Sequence, residues 1–301
     1  MQLTPDVIFG SIAILIGSAL YAGSVVVYRS QKDGIRPVAI ASIKMWVALG
    51  FMSILILLPF TASPLAVSIQ QTMLLSISVL LGAVIGDTLY LMSQERIGVS
   101  HAFPISMSFP ILTYFLTIAF LNEALILSRL AGVFLAVAGI IVLSWEQEID
   151  ENDVGKKNGL DRVGVVLALL TAVLYASGTT ILQVGVEGVD AVVATFIRVV
   201  VGSIAFVPIF IIAKFRGMPS PTRKAAKFVA AAGFLGMAVG SLLYVTGVKY
   251  AGATIASVLA SLSPLFAVPI SIFFLKEHLT RRASLGVIAT IIGVVLVVLG
   301  I

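Results

Sequence analysis

Four ionisable side chains stand inside long apolar stretches, where a charge is costly unless it faces a cavity or a partner. Lys44 lies in ASIKMWVALGF (41–51), Arg198 in ATFIRVVVGSIAF (194–206), Asp87 in VIGDTLYL (84–91), and His101 opens the run that follows. Lys44 and Arg198 each sit about 9 Å inside a helix end, at roughly 1.5 Å rise per residue. As cavity-lining cations they attract carboxylate or phosphate groups; as scaffold they snorkel to the interface along their long stems. Asp87 is the first candidate for ion coupling, because a lone intramembrane carboxylate can bind and release a proton; it can also pair with Lys44. His101 is a second candidate for handling a proton, or an interfacial hydrogen-bonding residue. Tyr21, Tyr175, Tyr90 and Tyr244 offer apolar bodies with a hydroxyl that seeks a partner when buried. Ser106, Ser257 and Ser261 belong to a polar stripe near Pro104, Pro110, Pro264 and Pro269, which remove backbone donors and bend helices. Together these residues suit the binding of a small polar or amphipathic solute.

Other chemistries are excluded or unsupported by what is missing. No HExxH occurs, position 84 is valine where a GxGD protease motif needs glycine, and Gly155-Lys156-Lys157 lacks the remainder of a phosphate-binding loop. There is no cysteine, so thiolate chemistry and disulfides are absent. No nucleophile–base pair, metal cluster or carboxylate pair is evident, so neither an enzyme nor a cofactor or metal is expected.

The elements that must position these residues follow from hydropathy. Of 301 residues, 59% are hydrophobic and 11% charged, against about 25% charged in a soluble domain. Ten apolar runs are long enough to cross a bilayer: about 6–28, 38–60, 71–92, 100–121, 129–145, 163–185, 191–213, 226–247, 254–275 and 283–300. They lack the period-two alternation of barrel strands, which predicts an all-α polytopic membrane protein with ten transmembrane helices. The longest connector, EQEIDENDVGKKNGLDR (146–162), is too short for a core of its own. Uphill transport by such a chain must draw on an ion or solute gradient or on a partner subunit. Of the 19 Lys and Arg, fifteen fall on connectors of one side: Arg29 to Arg36, Arg96, Lys156 to Arg162, Lys214 to Lys227, and Lys276 to Arg282. Arg129 and Lys249 fall on the other. The positive-inside rule then predicts those loops in the cytoplasm and both termini outside, in a cell-membrane protein.

An internal repeat organises the chain. A shift of 154 positions, without a gap, lays Gly10 on Gly164, Leu20-Tyr21-Ala22 on Leu174-Tyr175-Ala176, Lys44 on Arg198, Gly86 on Gly240, Tyr90 on Tyr244, Pro110 on Pro264 and Glu123 on Glu277. Asp87 falls on Ser241 and His101 on Ile255. Five helices is an odd number, so the second copy enters from the opposite side, giving inverted repeats. The expected units are 1–147, a polar linker 148–162, and 163–301. Two similar halves of opposite orientation can exchange shapes and open a central site alternately to each side.

The two-by-five plan resembles the drug/metabolite transporter superfamily in its ten-helix EamA-type branch. The stretches that carry the resemblance are the cation-bearing second helices around Lys44 and Arg198, and the proline-containing fourth helices ending in glutamate, FPILTYFLTIAFLNE (109–123) and SPLFAVPISIFFLKE (263–277). The fifth helices add glycines seven apart, LAGVFLAVAGIIV (130–142) and SLGVIATIIGVVL (284–296). The match covers nearly the whole chain. It implies secondary export of amino acids or similar metabolites, and departs from many relatives, whose termini are cytoplasmic. The expected cavity lies between the repeats, lined by helices one to four and six to nine. An uncoupled exchanger or facilitator, a channel and a membrane enzyme are the competing readings. Glu123 and Glu277 are expected to act structurally near helix N-termini. The small-residue seams Gly132–Ala136–Gly139 and Gly286–Thr290–Gly293 predict packing of helix five on ten, or a homodimer contact.

Overall fold

The computed structural model describes residues 4–31, 34–58, 67–149, 161–263, 265–266 and 281–300. Among them it is all-helical. In chain order the helices are α1 (Pro5–Ser30), α2 (Pro37–Leu55), α3 (Ile69–Val79), α4 (Asp87–Ile97), α5 (Val99–Ser106), α6 (Phe109–Leu121) and α7 (Leu127–Ile149). The second half continues with α8 (Arg162–Gly185), α9 (Ala191–Phe215), α10 (Arg223–Gly233), α11 (Gly240–Ala260) and α12 (Arg281–Leu299). Seven continuous helical stretches among the described residues are long and apolar enough to cross a membrane, and Leu127–Val142 and Ser284–Leu299 are shorter apolar helices. Pro264 and residues 267–280, which include the end of the ninth apolar run with Pro269 and, beyond it, Glu277, lie outside the described residues.

Several starts and breaks follow from single residues. Ser68 caps α3 in a reciprocal box with Gln71, and Thr222, 154 positions later, caps α10 by accepting from the Ala225 amide. Asp161 and Asp190 cap α8 and α9 through their carboxylates. Arg96 also reaches Asp161 at 2.9 Å, tying the two halves on the basic side. The Arg96 hydrogen bond holds the Asp161 carboxyl below the usual carboxylate range. The expected bend near the prolines falls between α5 and α6, where Pro110 occupies the first turn of α6; Pro104 is accommodated inside α5.

Two further irregularities recur in both halves. A π-helical segment, Leu80–Gly86, joins α3 to α4, and another, Phe234–Val239, joins α10 to α11. Gly98 (φ 76°) separates α4 from α5, and Gly252 (φ 81°) bends α11. Each glycine is at the 154-residue equivalent of the other.

Packing pairs the halves with one another. α1 lies along α11, while α8 lies along α3, the first π segment and α4; α2 packs on α9, and α7 on α12. Each pairing maps onto another, or onto itself, when the halves are exchanged. Glycine permits the close approaches: a Cβ on Gly10 would stand 2.9 Å from the Ala251 nitrogen, and one on Gly132 would stand 2.8 Å from the Gly293 carbonyl oxygen. The seam expected either inside the chain or between copies is therefore occupied inside it. α8 shows the membrane pattern plainly. Gly164, Ala168, Thr171 and Ala172 are buried, whereas Val163, Val166, Leu169 and Val173 face outward at about half exposure. Small residues inside and large apolar residues outside is the arrangement that lipid, not water, stabilises.

Candidate functional site

A cavity of about 190 Å³ lies between the halves. At roughly 30 Å³ per water in the liquid, that is room for about six waters or one small solute. Its wall takes Ile14, Ser18 and Tyr21 from α1, Ser78 from α3, Asp87 from α4, Tyr175 and Thr179 from α8, Arg198 from α9, and Ser241 and Tyr244 from α11. Both π segments reach it through equivalent positions, Gly82 and Ala83 in the first and Gly236 and Met237 in the second. A π turn is wider than an α turn and recurs at functional sites; here the pair sets two glycine-bearing backbones against one space.

Asp87 and Arg198 are the charged residues on that wall. The Lys44 Nζ donates to Asp87 Oδ2, and the Tyr175 hydroxyl donates to Asp87 Oδ1 at 2.7 Å. Lys44 stands behind the carboxylate, 5% exposed, where α2 meets α10: a Cβ on Gly233 would lie 2.9 Å from the Lys44 Cα. The expected pairing of Asp87 with Lys44 is thus formed, and Tyr175 joins it from the other half. Arg198 is 7% exposed; its Nη1 donates to the Ser78 hydroxyl, and its Nε has no hydrogen-bond partner. Tyr244 and Thr179 share a hydroxyl–hydroxyl bond of 2.7 Å.

The structure brings together Tyr21, Asp87, Tyr175, Arg198 and Tyr244 at the cavity, with Lys44 one layer behind. It places the other sequence candidates elsewhere. Tyr90 is buried in a separate cluster with Ile97 and Ala102, edge-on to Phe103. The Ser106 hydroxyl reaches the Ala168 carbonyl at 3.4 Å, tying α5 to α8. Ser257 and Ser261 turn back to the Thr254 and Val258 carbonyls of their own helical segment, a local bond that serines inside helices commonly make. His101 Nδ1 lies 3.1 Å from the Ile97 carbonyl oxygen, one turn back. From the fourth-helix stretches, Met107, Phe109, Ala260 and Ser263 reach the wall instead. Glu123 accepts from Arg129 at 2.7 Å and from the Thr254 hydroxyl at 2.6 Å, and Thr254 meets Thr117 at 3.0 Å. The Glu123 carboxylate thus bridges side chains of α7 and α11, whereas the sequence reading places it by the helix N-terminus alone.

Sequence reasoning missed Ser78, Thr179, Ser18 and Met237. The available signal was the matched glycine pairs Gly82/Gly86 and Gly236/Gly240, whose repetition marks both π segments. No group of three or more His, Cys, Asp or Glu able to hold a metal occurs among the described residues.

The model of the EamA-like transporter family matches residues 8–145 and, a second time, residues 162–299. The chain belongs to the EamA-like transporter family. Both ends of the two matched stretches are offset by 154 positions, the shift read from the sequence. An uncharacterized transporter of Archaeoglobus fulgidus is 24% identical over 77% of this chain and 78% of its own length. The uncharacterized transporter YdfC of Bacillus subtilis is 30% identical over 42% of this chain and 40% of that protein. The uncharacterized protein MJ1333.1 of Methanocaldococcus jannaschii is 30% identical over 44% of this chain but 93% of its own length. A solved crystal structure superposes with a TM-score of 0.76 at 15% identity, covering 97% of this chain and 96% of that one, which shows the fold. This EamA-type chain is accordingly a polytopic membrane transporter, not an enzyme.

Proposed function

We propose that this EamA-type protein is a secondary active transporter that exports small amphipathic metabolites by alternating access. Its units are two inverted five-helix repeats, 1–147 and 163–301, joined by the linker 148–162, ten membrane helices in all. The basic connectors face the cytoplasm and both termini lie outside the cell membrane.

One observation carries the reading: a solute-sized cavity walled by both halves, with Asp87 of the first and Arg198 of the second in its lining. A site built jointly from two symmetric halves opens to one side or the other as the halves rock against each other. Tyr21, Tyr175 and Tyr244 supply apolar faces for the body of the cargo. Asp87 couples transport to protons by exchanging its Lys44 and Tyr175 bonds for a proton as the halves move. His101, on the turn after Gly98, is a secondary candidate for that path. The resemblance to the family supports amino acids and related compounds as the cargo class.

A second reading, an uncoupled exchanger or facilitator, draws on the same residues. Asp87 already accepts two hydrogen bonds, and a pair that never opens needs no proton. Counterflow of labelled solutes into proteoliposomes, over a panel of amino acids, organic acids, nucleosides and organic cations, tests the proposal. Saturable counterflow that acidifies one compartment supports coupled transport. Saturable flux with no proton movement supports the exchanger. Flux at single-channel rates sinks both.

A further inference from the structure

We infer that Arg198 and Ser78 form an anion subsite and that the cargo is an organic monoanion with an apolar body. The inference rests on the transporter reading and sharpens its substrate class. It comes from a broken symmetry. Positions 44 and 198 are equivalent and both cationic, but position 87 is Asp and its equivalent, 241, is Ser. The position that supplies the counter-ion of Lys44 therefore supplies none for Arg198 in the second half. Among the described residues, the ion pairs are Lys44–Asp87, Arg96–Asp161 and Arg129–Glu123, and Arg198 is in none of them.

A guanidinium is charged at every accessible pH and carries five donors in a planar fork. Arg198 is more than nine-tenths buried, lines the cavity, and spends one donor on a neutral hydroxyl while its Nε goes unbonded. A charge so placed in a membrane interior is stabilised by an opposite charge. A carboxylate suits the fork because it accepts two parallel N–H bonds. Ile14, Met107, Phe109, Leu182 and Met237 make the surrounding wall apolar, so the rest of the ligand is a hydrocarbon or aromatic body. An ammonium group would have to compete with Lys44 for the charge of Asp87, which that lysine already balances, whereas among the described residues no carboxylate balances Arg198. Organic cations and zwitterions are thereby disfavoured, and the amino-acid expectation narrows to the acid without the free amine.

The test uses the purified full-length chain and three monoanions of different body shape: phenylacetate, hexanoate and 4-methylpentanoate. Each is matched with its amide and with the corresponding amine. Calorimetry and thermal stabilisation measure binding in chloride-free buffer. At least one carboxylate is expected to bind about 30-fold or more tighter than its amide and amine, the scale of a buried charge pair losing one partner. Arg198→Gln should erase that preference while leaving amide binding in place. Ser78→Ala, which keeps the guanidinium, should weaken carboxylate binding only a few-fold and reports on the site if Arg198→Gln fails to fold. Amines binding as tightly as acids, no acid binding at all, or an acid preference that survives Arg198→Gln would each overturn the inference. So would stabilisation by chloride with no further gain from carboxylates. Counterflow of whichever compound binds separates the two claims. Tight acid binding without flux upholds the subsite and sinks the carrier. Saturable flux of amines alone upholds the carrier and sinks the subsite.

Discussion

The Tyr175 hydroxyl donates to Asp87 Oδ1 over 2.7 Å, and so joins the second half of the chain to the first at the cavity wall. The same carboxylate accepts from Lys44 on its other oxygen. Any movement of one half against the other must lengthen or preserve the Tyr175 bond, whereas the Lys44 pair stays within the first half. This separates the roles of the two donors. Asp87→Asn should abolish proton-linked uphill transport and leave exchange flux, and Tyr175→Phe should alter the rate while leaving the coupling stoichiometry intact. Simultaneous recording of solute uptake and internal pH in proteoliposomes reads both.

The Lys44–Asp87 pair is buried, so its members depend on each other. Lys44→Met or Asp87→Leu alone should destabilise the chain by about 3–5 kcal/mol, by leaving one charge unpaired. The double variant should recover much of that loss. A double-mutant cycle on thermal unfolding in detergent gives the coupling.

Gly98 and Gly252 have φ near +80° with ψ of 162° and 165°, a region that only glycine occupies readily. Gly98→Ala and Gly252→Ala should each cost about 1–3 kcal/mol. The two losses should be similar, because equivalent turns in the two halves are being strained. Melting temperatures of the single variants check this.

A side chain at Gly293 would meet the Gly132 carbonyl oxygen at 2.6 Å. Gly293→Val should therefore force α7 and α12 apart and destabilise by about 1–3 kcal/mol through overpacking. Transport by the protein that remains folded should be less affected, because neither helix lines the cavity. Paired melting and flux measurements test that separation.

Asp161 offers a pH test outside the membrane. Its carboxyl is held below the usual range by Arg96, so it binds protons less readily folded than unfolded. Its contribution is present above the ordinary carboxylate pKa and is lost as pH falls through the lowered one. Asp161→Asn should lower the melting temperature at neutral pH, and the difference from wild type should shrink steadily toward pH 3. High salt should also shrink it, since the pair is exposed.

Much of this was legible in the sequence where one physical requirement dominates. Crossing a bilayer demands long apolar runs, so helix positions were readable, and the 154-residue shift exposed the symmetry that the helix pairs obey. Lys44, Asp87 and Arg198 stood out because charges are rare at that depth. What was not legible depends on rotation about helix axes. Ser106, Ser257 and Ser261 share a stripe with residues that reach the cavity, yet their hydroxyls donate to backbone carbonyls, Ser106 across to α8 and the other two within their own helical segment. Tyr90 and Tyr244 are equivalent in sequence, but one sits in a packed cluster and the other on the cavity wall. The π segments shift the register between the two ends of a run, which a 3.6-residue period does not reveal.

The absence of cysteine makes the central claim directly accessible. Ser241 lines the cavity, and Ser241→Cys places a single thiol there. In right-side-out and inside-out vesicles, a membrane-impermeant maleimide should label that thiol from both sides. A transported solute should slow labelling in each orientation. Labelling from one side only, whatever solute is present, would contradict a cavity that opens alternately across the membrane.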